Sequence, residues 1–437
     1  MNAADSLPPA LQAQLAAARA AAAQGRIGEA ERHFRQLVGH LPELTEGLNF
    51  LGMCELARQQ TGAAIVLFER ARQVAPDDAE TLKNLGQAQR RAGDLDAAVA
   101  TLRAAVTREP DYFLARFHLA ATLEQLQRHD EALPEYFRAL RAAQQRGEWL
   151  SEASTPPGLR QPVLAAMRYV DQGRHALFDG AIAPLRARYG AAEMRRIEQA
   201  LAIYLGDAPA NYPHPAQRPL FMFFPGIASQ AYYERERFPW LEAFEAKTDA
   251  IRLELLNLLA ADHGFEPFLR FDSTARVEDY LRGREGQLAW TGYFFYRHGE
   301  RREDNCARCP VTIAALDALP IVRIREHAPE VLFSLLTPGA HILPHCGVTN
   351  TRLVTHLPLI VPNDCALRVG GVEHAWQEGR CVVFDDTYEH EAWNRSDRTR
   401  VVLILDTWHP DLTAAEREAL TALVSVIGDF NQKTGVR

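Results

Sequence analysis

Three side chains in the last third of this 437-residue chain could do chemistry together: His345, His390 and Arg400. His345 closes one β-prone run, His390 opens the bend after Cys381-Val-Val-Phe-Asp-Asp386, and Arg400 begins the very apolar run VVLIL. Imidazoles far apart in sequence meet when strands pair, and their neutral nitrogens suit a divalent transition metal. An Arg on a neighbouring strand can grip a carboxylate with its planar fork of N–H donors. That combination suits non-haem Fe(II) working with a 2-oxo acid co-substrate.

The elements that must position these groups lie between Phe333 and Pro410. Short runs rich in Val, Ile, Leu, Phe and Thr are separated by the turn signals Pro338-Gly339, Pro362-Asn363-Asp364 and Gly370-Gly371, the pattern of an antiparallel barrel or jelly roll. Upstream, Phe268–Phe271 and Trp290–Tyr296 read as further strands. Trp240, Phe244, Ile251, Leu255 and Leu259 trace one face of a long helix expected on the back of the sheet. Trp290, Tyr293 and Trp376 are expected in the core or the pocket wall.

The phrases HCGVTNTRLVTHLPL, FDDTYEHEAWN and DTWHP resemble the aspartyl/asparaginyl beta-hydroxylases, closely from about Phe333 to Thr413 and more weakly back to about Leu220. The resemblance implies a double-stranded β-helix (jelly-roll or cupin-like) oxygenase that uses Fe(II), 2-oxoglutarate and O2. It implies His345 and His390 as iron ligands, Arg400 on the far carboxylate of 2-oxoglutarate with Ser334 beside it, His356 at the near end, and Arg352 facing a substrate carboxylate. Many enzymes of this chemistry carry Asp or Glu two residues after the first His; Gly347 stands there, as in the resembling family. The expected site therefore has two His and no metal-bound carboxylate, with Asp385, Asp386 or Glu391 behind the ligands or at the strand turn. An open position on the iron also leaves oxidative halogenation as a formal alternative. His341, an even number of residues before His345, falls on the same face of a regular strand; a structural role is expected for it rather than a third ligand. Val354 stands where the animal proteins carry a second Arg, a departure that bears on the substrate.

The rest of the chain has a different rhythm. Pro42, Pro76 and Pro110 recur at the tetratricopeptide period, as do Ala30, Ala64, Ala98 and Ala132, the bulky Phe34, Phe68, Leu102 and Tyr136, and Leu51-Gly52 with Leu85-Gly86. Residues 1–146 are thus expected to form a helical solenoid of tetratricopeptide repeats. Such a solenoid offers a concave surface to a protein or peptide partner, or serves as a spacer or dimerisation arm. Residues 147–217 read as a linker (GEWLSEASTPP) and connecting helices, and 218–437 as the oxygenase domain. Cys306-Ala-Arg-Cys309 lacks a second CxxC and is expected to be structural.

A formal charge of -8 gives no basic field for nucleic acid. Scattered cysteines, no apolar run of membrane-spanning length and an N-terminus without a basic, apolar leader predict a cytoplasmic, thiol-reduced protein without a membrane span. The expected activity is hydroxylation, with the β-carbon of Asp or Asn in a peptide recruited by the repeats as the leading target. A small molecule or lipid acyl chain is the alternative substrate, and an inactive repeat scaffold the rival from another class.

Overall fold

The computed structural model describes residues 8–261, 264–269, 280–284 and 288–436. They fall into two compact units, one running to Arg174 with the segment from Phe430, the other His175–Asp429.

The first unit is a series of antiparallel helix pairs: α1 Pro9–Ala23 with α2 Ile27–His40, α3 Thr45–Ala57 with α4 Thr61–Val74, α5 Ala79–Ala92 with α6 Leu95–Arg108, and α7 Phe113–Gln125 with α8 His129–Gln145. Close approach within each pair explains the repeated residues. A Cβ on Gly52 would lie 2.4 Å from the Phe68 ring, and one on Gly86 would lie 2.5 Å from Leu102 Cγ, so glycine faces the bulky residue of the paired helix. Ala30, Ala64, Ala98 and Ala132 are fully buried. Pro42, Pro76 and Pro110 each stand two residues beyond the last residue of a pair's second helix, where a missing N–H no longer matters. Within the stretch read as a linker, Trp149 is 2% exposed and packs edge-on against Phe113 and Phe117.

Helix α9 runs Arg160–Tyr189 and α10 Ala191–Leu205. The expected single helix after Trp240 is two, α11 Leu241–Glu245 and α12 Thr248–Ala261, and the second buries Ile251, Leu255 and Leu258. These helices, with Glu303–Arg308 and Pro310–Asp317, share a core with one face of the larger sheet.

The strands are β1 Glu266–Pro267, β2 Leu281–Arg282, β3 Trp290–Arg297, β4 Glu300–Arg301, β5 Val331–Leu336, β6 His341–His345, β7 Arg352–Ile360, β8 Cys365–Val369, β9 Val372–Ala375, β10 Val382–Phe384, β11 His390–Asn394 and β12 Arg400–Trp408. They form two antiparallel sheets, β1-β3-β5-β12-β7-β10 with β4 on β3, and β2-β6-β11-β8-β9. Of the run expected at Phe268–Phe271, Phe268 lies beyond β1 and stacks on Trp290, and residues 270–271 lie outside the described residues. Leu336, Val354 and Val402 of the larger sheet and Ile342, Leu367 and Val369 of the smaller share a second core. The inward side chains of both sheets surround the site.

Candidate active site

Strand pairing brings the two imidazoles together. His390 on β11 is the direct partner of His345 on β6, and their ring centroids are 4.1 Å apart. Each ring is anchored through Nδ1 to the carbonyl two residues earlier, His345 to Leu343 at 2.8 Å and His390 to Tyr388 at 3.0 Å. A neutral imidazole that donates Nδ1–H to a carbonyl keeps its Nε2 lone pair, the form that binds a metal. Burial, reinforced by the neighbouring His345, holds His390 neutral by lowering its pKa to about 3.

The same register corrects the reading of His341. Between His390 and Ala392 the pairing with β6 slips, so that three residues of β6 span two of β11. This bulge carries Ile342 and His345 to the cavity although they are an odd number apart. His341 goes to the other side, where Glu391 bonds its Nε2 at 2.6 Å. Glu391 also accepts from Arg368.

The cavity between the sheets holds about 150 Å³. At one end Arg400 is 1% exposed, its guanidinium 4.7 Å from the Trp376 ring centre, and Nε and Nη1 have no hydrogen-bond partner. Burial lowers its pKa to about 10. Ser334 lines the same cavity, and its Oγ accepts from Trp290 Nε1 at 2.9 Å. His356 also lines it; its Nδ1 is unpartnered, and burial with Arg400 close by keeps the ring neutral.

Elsewhere in the lining Arg352 is already engaged. Its Nη1 donates to Asp406 Oδ1 at 2.6 Å, and Nη2 lies 3.3 Å from Asp386 Oδ2. Asp406 and Glu330 were not anticipated; the signal was strand parity, because Arg400, Ile404 and Asp406 line the cavity from alternate positions of β12. Burial raises Asp406 to about 6 even with Arg352 beside it, and raises Asp386 as well.

Gly347 has a steric reason. A Cβ there would lie 2.2 Å from the Asp386 carboxyl carbon, so the carboxylate of Asp386 fills the space beside residue 347. Asp386 Oδ1 is buried without a partner. Among the described residues no group of three His, Cys, Asp or Glu is gathered closely enough to hold a metal. Cys306 and Cys309 sit apart from this cavity in the core against the larger sheet, and burial pushes the Cys309 thiol up to about 12.

Comparison with known proteins bears on this arrangement. Residues 245–410 match the model of the aspartyl/asparaginyl beta-hydroxylase family, a span that contains every residue lining the cavity described here. They form an aspartyl/asparaginyl beta-hydroxylase domain. Residues 15–79 and 83–147 match tetratricopeptide repeats. Human aspartyl/asparaginyl beta-hydroxylase is 35% identical over 135 residues, 31% of this chain and 18% of that protein. The mouse protein of that name is 26% identical over 441 residues, 94% of this chain and 56% of its own length. Ornithine lipid ester-linked acyl 2-hydroxylase of Rhizobium tropici is 36% identical over 187 residues, 42% of this chain and 62% of that protein. The chain thus spans less than two thirds of each of these relatives. Among the described residues no helix is long and apolar enough to cross a membrane.

Proposed function

We infer that the β-hydroxylase domain, read as a double-stranded β-helix, is an Fe(II)- and 2-oxoglutarate-dependent hydroxylase. The observation that carries this reading is Arg400: a guanidinium 1% exposed, with two nitrogens unpartnered, in a cavity whose lining also holds a pair of imidazoles. Buried polar atoms are normally hydrogen-bonded, so Arg400 Nε and Nη1 and His356 Nδ1 suit a ligand rich in acceptors. A dicarboxylate fits the guanidinium, and a divalent metal fits two imidazoles whose Nδ1 atoms are held by backbone carbonyls.

The residues divide the work. His345 and His390 would hold the metal, their rings fixed by the carbonyls of Leu343 and Tyr388. Arg400 would fork the far carboxylate of 2-oxoglutarate. Because Trp290 already donates to Ser334 Oγ, the Ser334 hydroxyl hydrogen is free to point at that carboxylate. His356 would offer a ring N–H toward the near end. Leu332, Ile342, Leu367, Phe384 and Ile404 keep the cavity apolar and limit water. When bound, the iron and its co-substrate supply the oxidising power that inserts oxygen into a C–H bond; the protein supplies position.

The leading reaction is β-hydroxylation of Asp or Asn in a peptide recruited by the repeats in a thiol-reduced cytoplasm. Hydroxylation of an acyl chain is the second reading, favoured by Val354 in the lining and by the R. tropici relative. The test is anaerobic titration with Fe(II) and 2-oxoglutarate, watching the visible charge-transfer band of the chelated 2-oxo acid. The band should form in the wild type, vanish in His390→Ala, and need far more 2-oxoglutarate in Arg400→Ala. No band from folded wild type would leave the repeat scaffold as the function.

A further inference from the structure

A buried cation is normally met by a carboxylate, which takes up its N–H donors. Arg400 is met differently. Among the described residues no ion pair includes it; of the titratable groups around it only the Cys365 thiol holds its pKa up, and His356 close by is neutral. Its charge is supported from the side: the guanidinium carbon lies over the Trp376 ring, 4.7 Å from the ring centre. A ring against the flat face of a guanidinium attracts the charge through its π cloud and leaves the in-plane N–H edges unused. Nε and Nη1 are indeed without partners. An aromatic face thus keeps Arg400 both charged and open to a ligand.

Trp376 also meets His356, the other side chain expected at the co-substrate, with ring centres 5.9 Å apart and planes tilted by 33°. It is 7% exposed, in the core that the two sheets share. Its Nε1–H is buried without a partner, so packing and the chain on either side fix the indole. On one side is β9. On the other is a turn closed by the pairing of Gln377 with Arg380 and tied to the end of β7. There Gly379 N donates to the Pro358 carbonyl at 2.9 Å, and Glu378 Oε1 accepts from Val361 N at 2.8 Å. Arg252 on α12 reaches both partners of this tie, donating to the Leu359 carbonyl and lying 3.4 Å from Glu378 Oε2.

We propose that Trp376 is a positioning residue that makes the site select a dicarboxylate: its ring holds the Arg400 guanidinium charged and edge-on to the cavity, ready for the far carboxylate of the co-substrate. This rests on the oxygenase reading above. Carboxylate and indole use different parts of the guanidinium, so the stack persists in the complex and its own contribution cancels from the affinity. What the ring contributes is order. Without it the long side chain turns to other acceptors or draws in water, and binding must reverse that. A 2-oxo acid that lacks the far carboxylate gains nothing from the arrangement.

The experiment uses the full chain and two probes, 2-oxoglutarate and 2-oxopentanoate, which carries a methyl group in place of the far carboxylate. Each is titrated anaerobically into the Fe(II)-loaded protein by the visible band, and again by calorimetry with Zn(II) in place of Fe(II). The ratio of the two Kd values is the readout. Trp376→Leu should weaken 2-oxoglutarate about fivefold, the scale of ordering one long side chain, while 2-oxopentanoate and the metal stay within about twofold. Trp376→Phe, which restores a ring face, should recover most of the ratio. If the Leu variant does not fold, Glu378→Ala takes its place; it unties the turn, leaves the indole and should narrow the ratio in the same direction. A loss shared equally by both acids, the result of loosened packing alone, overturns the assignment, and so does an unchanged ratio. A wild type that forms the band yet binds the two acids alike also overturns it. Failure of the band to form overturns the oxygenase reading and this assignment with it.

Discussion

Replacing Arg400 with Met should make the ligand-free protein more stable and the loaded protein less so. Burial lowers the Arg400 pKa to about 10, and at about 1.36 kcal/mol per pH unit holding that cation costs about 3 kcal/mol. The cost is present throughout the physiological range, because the group stays charged until the pH nears 10. The Trp376 ring beneath the guanidinium returns roughly 1–2 kcal/mol of it. Met fills similar length without the charge, so the ligand-free variant should gain about 1–2 kcal/mol, a rise of roughly 2–8 °C in Tm for a unit of this size. With metal and 2-oxoglutarate the order should invert. Losing one partner of a buried charge pair costs about 2–5 kcal/mol, which weakens 2-oxoglutarate binding by roughly 30-fold to several-thousand-fold. At a concentration a hundred times its Kd, the co-substrate should add about 2.7 kcal/mol to the wild type and almost nothing to the variant. Calorimetric scans with Zn(II) in place of Fe(II), with and without 2-oxoglutarate, measure both arms. A variant that loses stability without ligand and is still stabilised by 2-oxoglutarate would refute the argument that Arg400 is held at a cost in order to meet an anion.

Other outcomes follow from the same geometry. Gly347→Ala should cost about 1–3 kcal/mol in urea unfolding, because its Cβ would displace the Asp386 carboxylate; on an Asp386→Gly background the cost should largely disappear. Asp385 has a folded pKa raised to about 6, chiefly by burial, against 3.8 ordinarily, so the folded state holds the proton more tightly than the unfolded chain. Its contribution is full below about pH 4 and is lost as pH rises through about 6, an effect on the order of 3 kcal/mol. Asp385→Asn should flatten that decline between pH 4 and 7, and an unchanged profile would contradict it. A thiol reagent applied to the folded protein should modify half-buried Cys346 well before Cys306 or Cys309, as mass mapping would show.

The repeats were legible because their determinants are local and recur. Gly52 against Phe68 and Gly86 against Leu102 are pairings within one helical hairpin, so the period survives in one dimension. His345, His390, Arg400, Ser334, His356 and Arg352 were legible as a set because they line one cavity, which the sequence reading reached through strand alternation and resemblance to a family. What the sequence left open is strand register, a local helix break and packing over distance. His341 lost its expected face to one bulge opposite β11, and the break between α11 and α12 left the apolar stripe intact. Trp149, inside the stretch read as a linker, packs on Phe113 and Phe117, aromatic partners that lie a helical hairpin earlier.

Asp406 and Glu330 escaped notice for a more instructive reason. An acid after VVLIL reads as the point where a strand returns to water, yet β12 continues through Asp406 to Trp408 and keeps that carboxylate buried. Arg352 across the sheet makes the burial tolerable by donating Nη1 to the Asp406 carboxylate. The same residue type is thus found in opposite states on one sheet. Arg400 is buried with two nitrogens unpartnered, and Arg352 is buried in an ion pair with Asp406. A motif names both arginines alike; their partners on the neighbouring strands set the difference.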